Sequence, residues 1–427
     1  MQVRMFKFRL YPNKVQKEFL DDTLETCRYV YNRLLACQKS AYKEKRKLVS
    51  EYDQNLKLTQ MRSGNPVVSK IYSQVLQNIS KRIRDAYNNF FVRKCLKLKA
   101  GLPRFKKYGR YKSITFPQSG FKVIETGKRL DVLVLSKIGS IPIRTHRQIE
   151  GRIKTLTVKR MSSGKWFAVF SCVVKEQPVT KPFKDVGVDV GLNSFAVLSN
   201  GNRIENPRFY RSRGKQLKRV QRRLSRTKKG GENREKKRIR VARLHEKIEN
   251  SRKDFLHKAS RQIADSYQTV YVEDLQIGNM IKNHCLAKSI SDAGWGTFIQ
   301  MIAYKEEESG GRLIKVNPRN TTQLCSQCDE IVEKDLSQRI HECPYCGLVL
   351  DRDLNASRNI LRIGRESSEF KPEREETTIQ SLGTEQVFPL KQEAIPTCRV
   401  VVHVKIASKM PKTLETVKDW IRREQDG

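Results

Sequence analysis

The chain has 427 residues, too many for one ordinary domain, and its 86 Lys and Arg against 45 Asp and Glu leave a net charge of +41. Such a charge repels itself unless a polyanion neutralises it, so nucleic acid is the expected partner, with an anionic membrane surface as the other candidate. No run approaches the ~18 apolar residues of a transmembrane helix, and the opening MQVRMFKFRLYP is interrupted by Arg4, Lys7 and Arg9, which excludes a signal-peptide core.

Ten cysteines divide into two Cys-x-x-Cys pairs and six scattered residues, Cys27, Cys37, Cys95, Cys172, Cys285 and Cys398. That is the pattern of a reducing compartment with one metal site rather than a secreted disulfide framework, so a cytoplasmic protein is expected.

In chain order, residues 3–11 alternate Phe6, Phe8 and Leu10 with basic residues and predict a strand. Asn13 with Gln16 three positions on predicts a helix start, followed by Leu20, Leu24, Cys27, Tyr31 and Leu34 at helical spacing. A second long helix is predicted from about 66 to 98, with Ile71, Val75, Ile79, Ile83, Tyr87 and Phe90 on one face. Its other face carries Gln74, Gln77, Lys81, Arg84 and Asn88 and reads equally as solvent-facing or as a nucleic-acid contact. Residues 113–175 then turn to β patterning in SITF, KRLDVLVL, GSIPI, IKTLTVKRM and KWFAVFSCVVK, with a hairpin turn in MSSGKW. With the first strand these could form a small barrel into which the helices are inserted.

DVGVDVGLNSFAVLSNGNRIENP (185–207) opens a new unit of three strands. Residues 211–260 hold 20 Lys and Arg but keep a thin apolar seam of Leu217, Val220, Leu224, Ile239, Leu244 and Ile248. TKKGG (227–231) breaks this stretch into a helical hairpin with a phosphate-facing surface. QTVYVEDLQ (268–276) and GRLIKVNP (311–318) are further strands, and DLNASRNILRIG starts a helix near Asp353. Beyond about 363 the composition is that of a polar, partly disordered tail, with one more strand conceivable at 398–406 and a short helix at 412–424.

Cys325, Cys328, Cys343 and Cys346 stand as C-x2-C-x14-C-x2-C. Each knuckle offers two thiolates from one tight turn, and four thiolates close a tetrahedral zinc site, leaving no open position for catalysis. His341 is an alternative ligand. Three acids also stand out: Asp189 and Glu273 end buried strands and Asp353 opens a helix, with Asp351 competing for the third place and Asp274 expected on the opposite face from Glu273. Three converging carboxylates would repel unless divalent cations sat between them, and hard oxygen ligands suit Mg2+ or Mn2+. The order Asp, Glu, Asp on a β-β-β…β…β…α plan fits an RNase H-like core hydrolysing phosphodiesters with two metals.

At these residues the sequence resembles the transposon-encoded TnpB family, relatives of the type V CRISPR effector nucleases. The matching stretches are GVDVGL (187–192), VYVEDL (270–275), NHCLAKSISDAGWGTF (283–298), VNPRNTTQLCSQC (316–328) and HECPYCGLVLDRDLNASRNI (341–360), with SQVLQNISKRIRDAYNNFF (73–91) and PRFKKYGRYKSITFPQ (103–118) in the N-terminal half. The resemblance extends over residues 1 to about 394. Ser357 stands where the family usually has alanine, and 304–311 lacks an expected aromatic residue.

The resemblance implies a multidomain α/β protein with a RuvC-type, RNase H-like nuclease core (181–318 and 348–362) and an inserted zinc ribbon (319–347). A β-barrel wedge domain (1–11 and 113–180) containing a helical recognition domain (12–112) would precede them. It implies an RNA-guided DNA endonuclease carrying guide RNA from the transposon end and cutting double-stranded DNA beside a short motif. Asp189, Glu273 and Asp353 would be the catalytic, magnesium-binding acids, and the four cysteines would bind one structural zinc. Gln74, Gln77 and Lys81 are candidates for reading the adjacent motif, and a single copy on its RNA is the expected assembly. The competing readings are a guided repressor that does not cut and a strand-joining transposase. Because Cys346 lies only seven positions before Asp353, zinc should fix where the third acid enters the site. Cys343→Ser is therefore expected to impair DNA cleavage with all three acids intact, and full activity in the zinc-free variant would rule the coupling out.

Overall fold

A computed structural model describes residues 2–45, 47–175, 183–335 and 338–369. It divides into two compact units on either side of the segment following Lys175.

In the first unit, β1 (Gln2–Leu10) turns Phe6, Phe8 and Leu10 into the core by simple alternation. Gln16 N–H then donates to Asn13 Oδ1 (2.8 Å) and Asn13 N–H to Gln16 Oε1 (3.0 Å), the reciprocal capping box that starts α1 (Lys14–Lys45). The expected stripe Leu20, Leu24, Cys27, Tyr31 and Leu34 is buried. After α2 (Glu51–Ser63), the helix predicted from 66 to 98 proves to be two: α3 (Pro66–Ser69), capped by Asn65, and α4 (Ser73–Cys95). Tyr72 causes the break. It stacks on Phe116 (ring centroids 6.0 Å apart), and its hydroxyl meets Ser119 Oγ at 3.0 Å, which holds its backbone extended. In α4 the buried aromatic position is Phe91, one turn beyond Tyr87, rather than Phe90.

Then follow β2 (Ser113–Phe116), β3 (Phe121–Ile124), β4 (Asp131–Leu135), β5 (Gly139–Arg144), β6 (Arg152–Arg160) and β7 (Trp166–Val174). They join β1 in an antiparallel sheet of order β2-β6-β7-β1-β5-β4-β3. The two end strands are consecutive in sequence. Laid flat, seven strands would put them about 29 Å apart, but the link from Phe116 to Phe121 reaches at most about 18 Å. The sheet therefore curls until it nearly closes, with the Phe116 and Phe121 rings 6.4 Å apart. Arg82 of α4 donates to Ser113 O (2.9 Å) and Thr115 Oγ1 (2.7 Å), tying the inserted helices to β2.

The second unit opens with an antiparallel meander, β8 (Asp185–Val190), β9 (Ser194–Leu198) and β10 (Arg203–Glu205). The short α5 (Phe209–Ser212) leads into the basic hairpin of α6 (Gly214–Ser225) and α7 (Glu232–Ser266), whose expected apolar seam is buried or half-buried. β11 (Thr269–Glu273) runs parallel to β8. After α8 (Ile277–Met280), α9 (Ala287–Ala293) and α10 (Trp295–Glu308), β12 (Arg312–Val316) runs parallel to β11, giving the order β10-β9-β8-β11-β12. A small hairpin, β13 (Ile340–Glu342) and β14 (Val349–Asp351), precedes α11 (Arg352–Glu369). The helix thus continues six residues past the point where the composition turns polar. The strand and helix considered at 398–406 and 412–424 lie outside the described residues. Among the described residues no helix is long and apolar enough to cross a membrane.

Strand alternation assigns the two faces of this sheet. Val186, Val188, Val270 and Val272 pack with α7 and α10, while Tyr271 packs with Ile360 of α11 on the other face. On that face α11 lies almost flush against the strands. A Cβ at Gly187 would come within 2.1 Å of Ser357 O, and one at Gly364 within 2.1 Å of the Tyr271 ring. Gly187→Ala should therefore destabilise the second unit by about 1–3 kcal/mol in urea unfolding. Gly214→Ala, whose methyl would meet nothing within 4 Å, should change it little, and indistinguishable effects would contradict the flush packing.

Candidate active site

Gly187 and Tyr271 are paired neighbours on β8 and β11, and both lie against α11. Two residues further along each strand, on the same face, stand Asp189 and Glu273. α11 begins beside them: a Cβ at Gly191 would lie 4.0 Å from Asp353 Oδ2. Two strand ends and one helix start thus bring together the three acids picked out in the sequence.

The electrostatics reflect this convergence. Burial pushes the Asp189 carboxyl up to about 8, with Glu273 and Asp353 adding repulsion and Arg352 opposing it. Burial also raises Glu273, partly offset by the Thr321 hydroxyl, which donates to Glu273 Oε1 at 2.5 Å. Arg352 places its guanidinium 3.4 Å from Asp353 Oδ1. Asp351 has a different role: its Oδ1 accepts the N–H groups of Asp353 (3.0 Å) and Leu354 (3.2 Å), capping α11, and its Oδ2 meets Arg203 at 3.0 Å. Asp274 forms a surface pair with Lys315 at 2.8 Å.

The four cysteines make a tighter cluster, with their ligand atoms all within 4.8 Å of one another. Cys325 and Cys346 sulfurs are 3.6 Å apart and Cys328 and Cys343 sulfurs 3.5 Å, close to the ~3.8 Å edge of a tetrahedron with ~2.3 Å Zn–S bonds. The two knuckles repeat one backbone pattern. Asp329 N–H donates to Cys325 O and Gly347 N–H to Cys343 O, while Cys325 N–H reaches Glu330 O and Cys343 N–H reaches Leu348 O. Asp329 (φ 64°) and Gly347 (φ 75°) take the same left-handed turn. This donor set fits a structural zinc. His341 is buried against Lys334 and stands outside the cluster.

Sequence reasoning missed how the cysteine segment is fastened to α11. The buried Asn355 accepts Ser326 N–H (2.9 Å) and donates to Leu324 O (2.7 Å). The buried Asn359 donates to Thr321 O (2.9 Å) and Leu324 O (2.7 Å), and Arg362 pairs with Asp329 at 2.6 Å. Asn355, Asn359 and Arg362 are spaced i, i+4, i+7, a polar stripe along one face of α11. That spacing was visible in DLNASRNILR.

In the first unit, Gln74 is half-buried and accepts Ser119 N–H at 3.2 Å, whereas Gln77 and Lys81 face solvent. The three candidate motif-reading residues therefore do not present one uniform free face.

Comparison with known proteins matches residues 169–284 to the OrfB family described as "Probable transposase". Residues 295–360 match a "Cas12f1-like, TNB domain" and residues 1–47 a "Helix-turn-helix domain". A "Putative RNA-guided DNA endonuclease" of Streptomyces pristinaespiralis is 34% identical over 385 residues, covering 87% of this chain and 93% of that one. The Escherichia coli K12 protein InsQ, described in the same words, is 31% identical over 382 residues, covering 85% and 92%. In fold, the chain is similar to Cas12f1 in a complex with single-guide RNA and target DNA, with a TM-score of 0.53 at 18% identity over 82% of this chain and 83% of that one. With relatives this similar across most of its length, the chain belongs to the transposon-encoded TnpB family, the OrfB group to which Cas12f1 is related.

Proposed function

We propose that this protein is an RNA-guided DNA endonuclease of a transposon, hydrolysing phosphodiester bonds at Asp189, Glu273 and Asp353. The observation that carries the reading is the convergence of these acids on one face at two strand ends and a helix start, where burial raises the Asp189 carboxyl and Glu273 and Asp353 add repulsion. Folding alone gives no use for carboxylates that oppose one another's ionisation, whereas divalent cations shared among them would make the arrangement favourable. The sheet order, with acids at the ends of β8 and β11 and at the start of the helix after β12, supports an RNase H-like, RuvC-type core. The relatives described as RNA-guided DNA endonucleases support guide RNA and DNA as the partners, and the charge of +41 suits both.

Within this reading Asp189, Glu273 and Asp353 would hold two magnesium or manganese ions. Bound there, the ions would supply an activated water and stabilisation of the leaving 3′ oxygen. The remaining work belongs to the chain's own side chains. Thr321 fixes one oxygen of Glu273, Arg352 offsets charge at Asp353, and Asp189 must lose its proton before it can act as a ligand. The four cysteines would hold one structural zinc. We assign residues 1–11 and 113–180 to a wedge barrel, 12–112 to recognition helices, 181–318 and 348–362 to the nuclease core and 319–347 to the ribbon. Gln77 and Lys81, with Gln74 behind them, are assigned to the target-adjacent motif, and the cytoplasm is the compartment in which the protein acts.

The deciding experiment expresses the chain with its flanking DNA, sequences the RNA that copurifies and uses its variable end to design a target. Guided cutting by the wild type is expected, with a loss of at least ~10²-fold in Asp189→Ala and undiminished RNA binding. An Asp189→Ala variant that acts as well as the wild type would instead support a repressor, and joined strands would support a transposase.

A pH dependence also follows. Asp189 titrates near 8 when folded and near 3.8 when exposed, so between these values the folded chain holds a proton that the unfolded chain has released. Without divalent ions, stability of the second unit should therefore fall as pH rises from about 4 to 8. Asp189→Asn should flatten that slope in thermal unfolding. An identical slope in both proteins would contradict the shift.

A further inference from the structure

Around the turn that follows β8, the second unit has a cleft of ≈ 310 Å³ that the preceding account leaves unused. Its walls are the turn after β8, at Leu192 and Asn193, the entry to α5, at Arg208, Tyr210 and Arg211, and α9, at Lys288 and Asp292. The volume is at the lower end of the ~300–1,000 Å³ range of ligand sites, on the scale of one nucleotide rather than a duplex.

The charge in the cleft is one-sided. Asp292 is already committed, paired with Arg252 at 2.9 Å and accepting Tyr210 N–H on both oxygens (3.0 and 2.9 Å). Arg208, Arg211 and Lys288 have no carboxylate partner among the described residues, and Lys288 lies 5.0 Å from the centroid of the Tyr210 ring. Arg208 adopts left-handed backbone angles (φ 49°, ψ 49°), unusual for a side chain of its size. Asn206 braces that conformation, accepting Arg208 N–H at 3.3 Å and donating to Leu192 O at 2.9 Å. Backbone strain held in place by a dedicated hydrogen bond at the mouth of a cationic cleft is the pattern of a ligand clamp.

Position identifies the ligand. Asn193 is four residues after Asp189, so the lip of the cleft lies at most about 14 Å from that acid along the chain. A stacked nucleic-acid strand advances ~3.4 Å per nucleotide, which puts the cleft within about four nucleotides of the cut. We propose that this cleft is a subsite for the DNA strand being cut, in which Arg208, Arg211 and Lys288 bind a backbone phosphate beside the scissile one. The proposal rests on the nuclease reading above.

The test uses the full chain with its copurified RNA and the double variant Arg211→Gln, Lys288→Gln, both exposed positions that leave the core untouched. Target strands carry a neutral methylphosphonate at one position at a time around the cut. The variant should keep its RNA and its kcat but show a higher KM, and the salt dependence of log KM should lose about 0.7–0.9 of a unit of slope, the share of the one phosphate neutralised. Neutralising one phosphate within four nucleotides of the cut should slow the wild type and have no further effect on the variant. An active wild type together with a variant of unchanged salt slope, or one penalised at every position as the wild type is, would overturn the subsite alone. Loss of RNA from the variant would assign the cleft to the guide and overturn it too. A wild type that cuts nothing would overturn the nuclease reading and the subsite with it.

Discussion

Three carboxylates that repel one another must be held at one place, and the second unit is arranged around that demand. Each acid sits at the end of an element whose other end is anchored in a core, so the repulsion acts on short, rigid pieces of chain. β8 and β11 are neighbours in the sheet, and their alternation puts Asp189 and Glu273 on one face. The helix that brings Asp353 can reach them only by lying nearly in contact with the strands, and Gly187 and Gly364 permit that approach. A methyl group at either position would lift the helix off the sheet and carry the third acid with it.

The cysteine segment holds the same arrangement from the opposite side. Its second knuckle leads through β14 into α11, so chain continuity links it to Asp353. Its first knuckle is bound to α11 by Asn355, Asn359 and Arg362, and the chain just before it presents the Thr321 hydroxyl to Glu273. One small module therefore touches both the helix carrying one acid and the side chain of another. That explains in physical terms why a thiolate cluster directly precedes an acidic helix start in the sequence.

Much of this was legible before any coordinates, because it depends on local periodicity. Phe6, Phe8 and Leu10 had to face one way, Asn13 and Gln16 had to cap a helix, and four cysteines at knuckle spacing had to cluster. What escaped the sequence was set by contacts distant along the chain. The helix expected from 66 to 98 breaks because Tyr72 stacks on a strand residue 44 positions later. β3, four residues with Phe121 and Val123 half-buried and Ile124 exposed, carries too weak an alternation to be noticed. The roles of Asn355 and Asn359 were not read from the sequence because their partners are backbone groups about 30 positions upstream. The different surroundings of Asp351 and Asp353 were likewise set by geometry, since the Asp351 carboxylate caps α11 and pairs with Arg203.

The most direct measurement is Mn2+ binding by the zinc-loaded full chain, followed by electron paramagnetic resonance, in the wild type and in Asn355→Ala, Asn359→Ala. If the polar stripe holds the acids in register, the double variant should remain folded and lose ~10–100-fold in Mn2+ affinity, the usual cost of removing groups that orient metal ligands. Equal affinity in the two proteins would contradict the account and leave the cysteine module as a bystander to the acidic site.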